Sequence, residues 1–175
     1  MADLSAAQGI SLRKRIWGWW FFDWASQPYH TLLVTFVFGP FFAAVAADYY
    51  LGQGLEAEAA KAQAQTVWSL GLTITGLLIG FGAPFLGALA DISGRKRPWM
   101  LFFSLLYVAG AWGIWFMDPA GSNLFAMLAC FGLGFIGAEF ALIFANSQLP
   151  TMGKQEDVGA ISGSGFAFGY AGGLL

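Results

Sequence analysis

The sequence is short of charge, of cysteine and of histidine, and each scarcity closes a class of function. Only 10% of its 175 residues are Asp, Glu, Lys or Arg, where a soluble domain carries roughly 25%. With so few charges, a chain that is 58% hydrophobic and 18% aromatic has nothing with which to cover a water-facing surface. The one cysteine, Cys130, excludes an internal disulfide and any multi-cysteine metal site. One histidine beside it leaves no zinc constellation, and no metal is expected. No sequence repeat of 20–50 residues is visible.

What is present suits lipid. A bilayer core is crossed by about 20 apolar residues of helix, and five such runs follow one another. They lie at about 16–47, 66–90, 99–117, 124–145 and 158–175, after a tail of residues 1–15. The expected fold is therefore all-α, a polytopic helix bundle. The first run spans 32 residues, about 48 Å of helix against roughly 30 Å of hydrocarbon. It must tilt, or begin at the interface, where Trp17, Trp19, Trp20 and Trp24 would anchor it. A cleaved signal peptide is the competing reading, because "AAVA" at 43–46 imitates a small-residue cleavage site. Its hydrophobic region would be about twice the usual 7–15 residues, so a retained helix is preferred. The last run ends in "FGYAGGLL" with no exit flank, which reads as part of a longer protein.

The bases give an orientation. Arg13, Lys14 and Arg15 precede the first run, Arg95, Lys96 and Arg97 join the second to the third, and Lys154 joins the fourth to the fifth. Only Lys61 falls on the other side, near Glu56 and Glu58. The excess of bases on one face places that face, and the N-terminus, in the cytoplasm; in a bacterium the membrane would be the inner one.

The link "GALADISGRKRPWM" (87–100) concentrates charge between two apolar helices. Gly76, Gly80, Ala83 and Gly87 recur at helical spacing, which allows close helix approach in lipid. Asp91 follows one turn later, at a helix end whose dipole disfavours an acid, so it should have a partner elsewhere. Gly94 is suited to terminate the helix and Pro98 to open the next.

Polar groups at membrane depth are default functional candidates. Asp23, Gln27 and His30 form one stripe on the first run, at i, i+4 and i+7. Glu139 and Asn146, seven apart, form a stripe on the fourth. The two runs are antiparallel, so both stripes fall toward the same end, as a polar cavity between them would require. His30 could titrate near neutral pH, and Glu139 is too short to snorkel out. Together with Asp23 they are candidates for proton coupling. Gly132, Gly134 and Gly137 match a dinucleotide fingerprint, but they lie within an apolar run with no strand before them, so helix packing is the better account. Gly159, Gly163, Gly165, Gly169 and Gly173 of the last run read the same way, or as points of bending. No cofactor is expected, and no nucleic-acid partner.

The string Gly87, Asp91, Gly94, Arg95, Lys96, Arg97 resembles the signature loop of the major facilitator superfamily, at the same place between the second and third helices. "WGWWFFDWASQPYHT" (17–31), centred on Asp23, Trp24 and Ala25, resembles the first helix of its vacuole-effluxer-like family. "FANSQLP" (144–150) and "ISGSGFAFGYAGG" (161–173) are similar to that family's fourth and fifth helices. One departure is Ala160 after Gly159, where the family often has a base, which puts a salt bridge from there in doubt.

The resemblance implies a twelve-helix transporter of two six-helix halves, of which this chain is the first five helices. The loop's aspartate and bases would latch the halves together on the cytoplasmic side in one state of the cycle. The first and fourth helices would line the central cavity. Its partners would be the lipid bilayer, a small polar solute, protons and the rest of the same chain. Export of amino acids is the first expectation, and the protein is not expected to be an enzyme. Two rivals have distinct requirements. A membrane-embedded enzyme would need Asp23, His30 and Glu139 within reach of one another and of a substrate. A short membrane subunit without transport activity would need the chain to end naturally at Leu175.

Overall fold

The computed structural model describes residues 10–174, so the start of the expected N-terminal tail, residues 1–9, lies outside the described residues. Every regular element among the described residues is helical. Helix α1 (Leu12–Pro28) runs into a π-helical segment (Tyr29–Phe36) and then into α2 (Phe38–Gly52). Next come α3 (Ala57–Ser93), α4 (Lys96–Ile114) and α5 (Leu124–Asn146). A 3₁₀ turn (Leu149–Thr151) leads to α6 (Gln155–Leu174).

Three stretches are long and apolar enough to cross a membrane: Leu12–Gly52, Ala57–Ser93 and Leu124–Thr151. The other two helices are diluted, α4 by its opening Lys96 and Arg97 and α6 by acids and glycine.

The expected first helix is longer than hydropathy suggested and is irregular in the middle. Proline cannot donate a backbone hydrogen bond, so Pro28 leaves the preceding turn without one of its bonds. The helix widens directly after it, and by Val37 the amide donates to Leu32 O five residues back, at 2.7 Å. π segments of this kind mark functional sites more often than plain helix does, and this one carries His30.

Helix α3 begins nine residues before the expected start at Thr66. The added turns, "AEAAKAQAQ", are Ala, Glu, Lys and Gln, all good helix formers. Hydropathy locates lipid rather than helix, so it misses them. Lys61 Nζ and Glu58 Oε1, 3.1 Å apart, staple the exposed turn.

Helix α5 is the hub. Half of its apolar stretch is buried, against 6% for α3, so α5 is the most enclosed of the three membrane-length stretches. Phe131, fully buried, stacks on Phe38 at 5.5 Å and meets Trp68 at 4.8 Å, tying α2 and α3 to α5. Phe103 of α4 packs on Phe140 and Phe144 at 4.9 and 5.8 Å. The glycine fingerprint of α5 is packing. A Cβ on Gly134 would strike the Tyr29 ring, one on Gly132 would reach Thr75 Oγ1, and one on Gly137 would strike the α4 backbone. Facing it, Gly110 of α4 lies directly on the backbone of Gly134.

Tyr29 is 1% exposed and its hydroxyl donates to Phe131 O at 2.7 Å. Tyr29→Phe removes the donor and nothing else. It is expected to cost about 1 kcal/mol, measured as a lower midpoint of unfolding in mixed detergent micelles.

Helix α6 packs on α1 through one glycine face. Cβ atoms at Gly165, Gly169, Gly172 and Gly173 would collide with Trp19, Asp23, Trp24 and Thr31. Gly159 and Gly163 have nothing within 4 Å, so only part of the expected glycine set is contact. The tryptophans divide in the same way. Trp19 is buried, while Trp17, Trp20 and Trp24 surround Phe168 of α6 at 6.2–6.4 Å.

The small-residue stripe of the second run is mostly uncovered within the described residues. Gly76, Gly80 and Gly87 have nothing within 4 Å, and only Ala83 touches the core. The close approach of α3 to α5 uses Gly71, against Leu128, and Gly82, against Phe140. Spacing defines a face, but several faces of one helix can carry small residues.

Candidate functional site

Three elements build the polar site. On α1 and the π segment, Asp23, Gln27 and His30 share a stripe; on α5, Glu139 and Asn146 do. The antiparallel run of the two helices brings the stripes together in two places.

The first is a histidine–carboxylate hydrogen bond. His30 Nε2 lies 2.7 Å from Glu139 Oε1, each side chain a little under one-third exposed. The distance is that of a short, charge-assisted bond. Phe135, one turn before Glu139, sets its ring against the imidazole at 5.8 Å. Tyr29 stacks on that same Phe135 at 6.4 Å, and its hydroxyl bond to α5 fixes the start of the π segment. Thr35 Oγ1 donates to His30 O at 3.0 Å, restraining the widened backbone on the other side. The imidazole is thus held by a carboxylate, an aromatic edge and a braced backbone.

The second place is a groove of about 360 Å³, toward the start of α1. Asp23, Gln27 and Asn146 line it with Trp19, Leu142, Leu149, Ser162 and Phe166. Asp23 Oδ2 abuts Gly169, and Gln27 abuts Gly173, so α6 forms the groove's third wall. Ser162 and Phe166 of α6 are lining residues that the stripe argument missed. Their signal was available in the glycine spacing, since a glycine face seated on Asp23 carries its neighbours there too. All five polar candidates are therefore gathered on one side of the bundle, three around a groove and two in a pair one turn beyond it.

The loop residues form a separate arrangement at that end. Gly94 terminates α3 with φ of 63°, the left-handed conformation that glycine adopts at least cost. Pro98 sits in the first turn of α4, where a missing N–H is harmless. Asp91 Oδ1 lies 3.2 Å from Lys96 Nζ, and that ammonium also donates to Ser147 O at 3.3 Å. Asp91 remains 70% exposed, and an exposed pair of this kind is worth under about 1 kcal/mol. Gly87, one turn earlier, faces open space. Arg95 and Arg97 are exposed as well.

At the opposite end, the link between α4 and α5 is closed by Asp118, which accepts from Ser122 Oγ at 2.5 Å and from the Ala120 amide at 3.0 Å. The Ser122 hydroxyl, and then the Ala120 amide, hold its carboxyl below the usual range. No group of His, Cys, Asp and Glu able to hold a metal occurs among the described residues.

No protein-family model matches the chain. No solved structure matches it either. It is similar to a Bacillus subtilis (strain 168) protein, YxiO, described as an uncharacterized MFS-type transporter, with 27% identity over 159 residues. The match takes in 90% of this chain and 34% of YxiO, so the chain spans about a third of the length of that curated relative.

Proposed function

We propose that the chain is the N-terminal part of a major-facilitator transporter that moves a small polar solute by alternating access. The observation that carries this reading is the His30–Glu139 pair, 2.7 Å apart and adjoining a polar groove in an otherwise apolar bundle. A titratable pair at membrane depth is expensive to keep and serves naturally as a proton site. Asp23, Gln27 and Asn146 offer donors and acceptors suited to a zwitterion such as an amino acid. The resemblance to vacuole-effluxer-like proteins favours export. The excess of bases favours a cytoplasmic N-terminus, which puts the groove in the cytoplasmic half of the membrane. The similarity to YxiO, an MFS-type transporter by its description, supports the transporter class.

In this reading the uncovered Gly87 and Asp91 meet the second half of the same chain, beyond residue 175. Asp91→Asn in the full-length protein is then expected to cut transport while leaving membrane insertion unchanged. The local Lys96 contact is too exposed to account for such a loss. The check is uptake of a panel of labelled amino acids into proteoliposomes, alongside the amount of protein in the membrane. Unchanged uptake would reduce Asp91 to a topological residue. Reading the gene past residue 175 is the cheaper companion: a sixth helix, a polar middle loop and six further spans are expected. A stop codon at position 176 would sink the proposal.

A further inference from the structure

A second groove, of about 250 Å³, lies where α1 begins, α4 begins and the 3₁₀ turn passes. Three bases line it: Lys14 and Arg15 from α1, and Arg97 from α4, more than 80 positions away. Its apolar wall includes Trp19 and Met152, 8% and 3% exposed, together with Met100.

Charge singles these bases out. Lys61, Lys96 and Lys154 each have a carboxylate within ion-pair distance. Among the described residues, Arg13, Lys14, Arg15, Arg95 and Arg97 have none within 4.0 Å, and three of these five converge on the one groove. Arg15 is also oriented, since its Nη2 donates to Thr151 Oγ1 at 2.7 Å. A guanidinium fixed through one nitrogen keeps its other donors for an anion, and its fork matches phosphate. Three cations gathered with no counter-charge among the described residues repel one another, so their convergence favours an anion between them. The apolar wall running on from the bases suits a ligand with a greasy body behind its charge.

We propose that this groove is a phosphate-binding site, filled by the headgroup phosphate of an anionic phospholipid. It differs from a general basic fringe because it depends on particular bases rather than on their number.

Two double variants of the full-length protein separate these ideas. Lys14→Gln with Arg97→Gln removes two groove bases; Arg13→Gln with Arg95→Gln removes the same charge from the same two helix starts. Retention of phosphatidylglycerol by detergent-purified protein is read by native mass spectrometry at about 0.5 M salt, where diffuse attraction is screened to a few ångströms. The groove double is expected to lose roughly thirtyfold in retention, about fivefold per base. The matched double is expected to lose far less. Swapping the groove bases, Lys14→Arg with Arg97→Lys, should restore retention and shows that the fold is intact. A second arm supplies inorganic phosphate to protein in phosphatidylcholine vesicles and follows its thermal stability. If phosphate stabilises the protein through the groove bases and phosphatidylglycerol retention ignores them, the site stands and its occupant is a soluble phosphate. If neither readout distinguishes the two doubles, the proposal is overturned.

Discussion

Glu139→Gln is expected, on the proposed function, to leave the full-length protein folded in the membrane and unable to use a pH gradient. Glutamine keeps the shape and can still accept from or donate to His30, so packing around Phe135 is preserved. It cannot take up a proton. If the pair is the coupling site, gradient-driven accumulation should fall by roughly tenfold or more, within the range of ordinary coupling free energies. Exchange of labelled for unlabelled solute at equal pH needs no net proton movement and should persist. His30→Gln should show the same split in milder form, because the Glu139 carboxyl remains in place. Normal pH-driven transport by Glu139→Gln would remove Glu139 from the coupling role. Loss of exchange as well would make it a solute contact instead.

Gly137→Leu is expected to break the bundle. A Cβ at Gly137 would stand 2.5 Å from Tyr107 N and 2.7 Å from Phe103 O, both backbone atoms of α4. Backbone cannot rotate away as a side chain can, so the two helices must separate. Separation would uncover Phe103, Phe140 and Phe144, and would shift the α5 face that carries Glu139. Overpacking of this kind costs about 3 kcal/mol. Gly159→Ala, at a helical site with nothing within 4 Å, should leave the unfolding free energy unchanged or raise it by up to about 1 kcal/mol. The check is unfolding in mixed micelles of the two variants and wild type. Equal midpoints would mean that α4 and α5 do not meet at glycine.

These two sites show what a linear reading can and cannot reach. The all-α class followed from composition, because a chain with so few charges has no alternative to lipid. The stripes on the first and fourth runs followed from helical periodicity, and the structure brings them together as antiparallel helices should. Which members would pair did not follow. His30 meets Glu139 from within the π segment that follows Pro28, and periodicity assumes a regular helix. The extra turns of α3 were missed because hydropathy is blind to alanine-rich polar helix. Helical spacing marks Gly76, Gly80 and Gly87 as a face for close approach without saying which helix it meets; within the described residues Gly71 and Gly82 make the contacts to α5 and those three stay uncovered. Spacing alone cannot tell a helix's inner face from its outer one. The third wall of the groove, Ser162 and Phe166, needed knowledge of which helix α6 lies against.

Alternating access is the central claim, and thiol accessibility in the groove tests it most directly. Asn146→Cys in a cysteine-free background of the full-length protein would be exposed to a membrane-impermeant reagent, applied from one side of the membrane and then from the other. The groove reading predicts labelling from both sides, through different conformations of one population, with added solute shifting the balance between them. Labelling from one side only, unmoved by any solute in the panel, would contradict it.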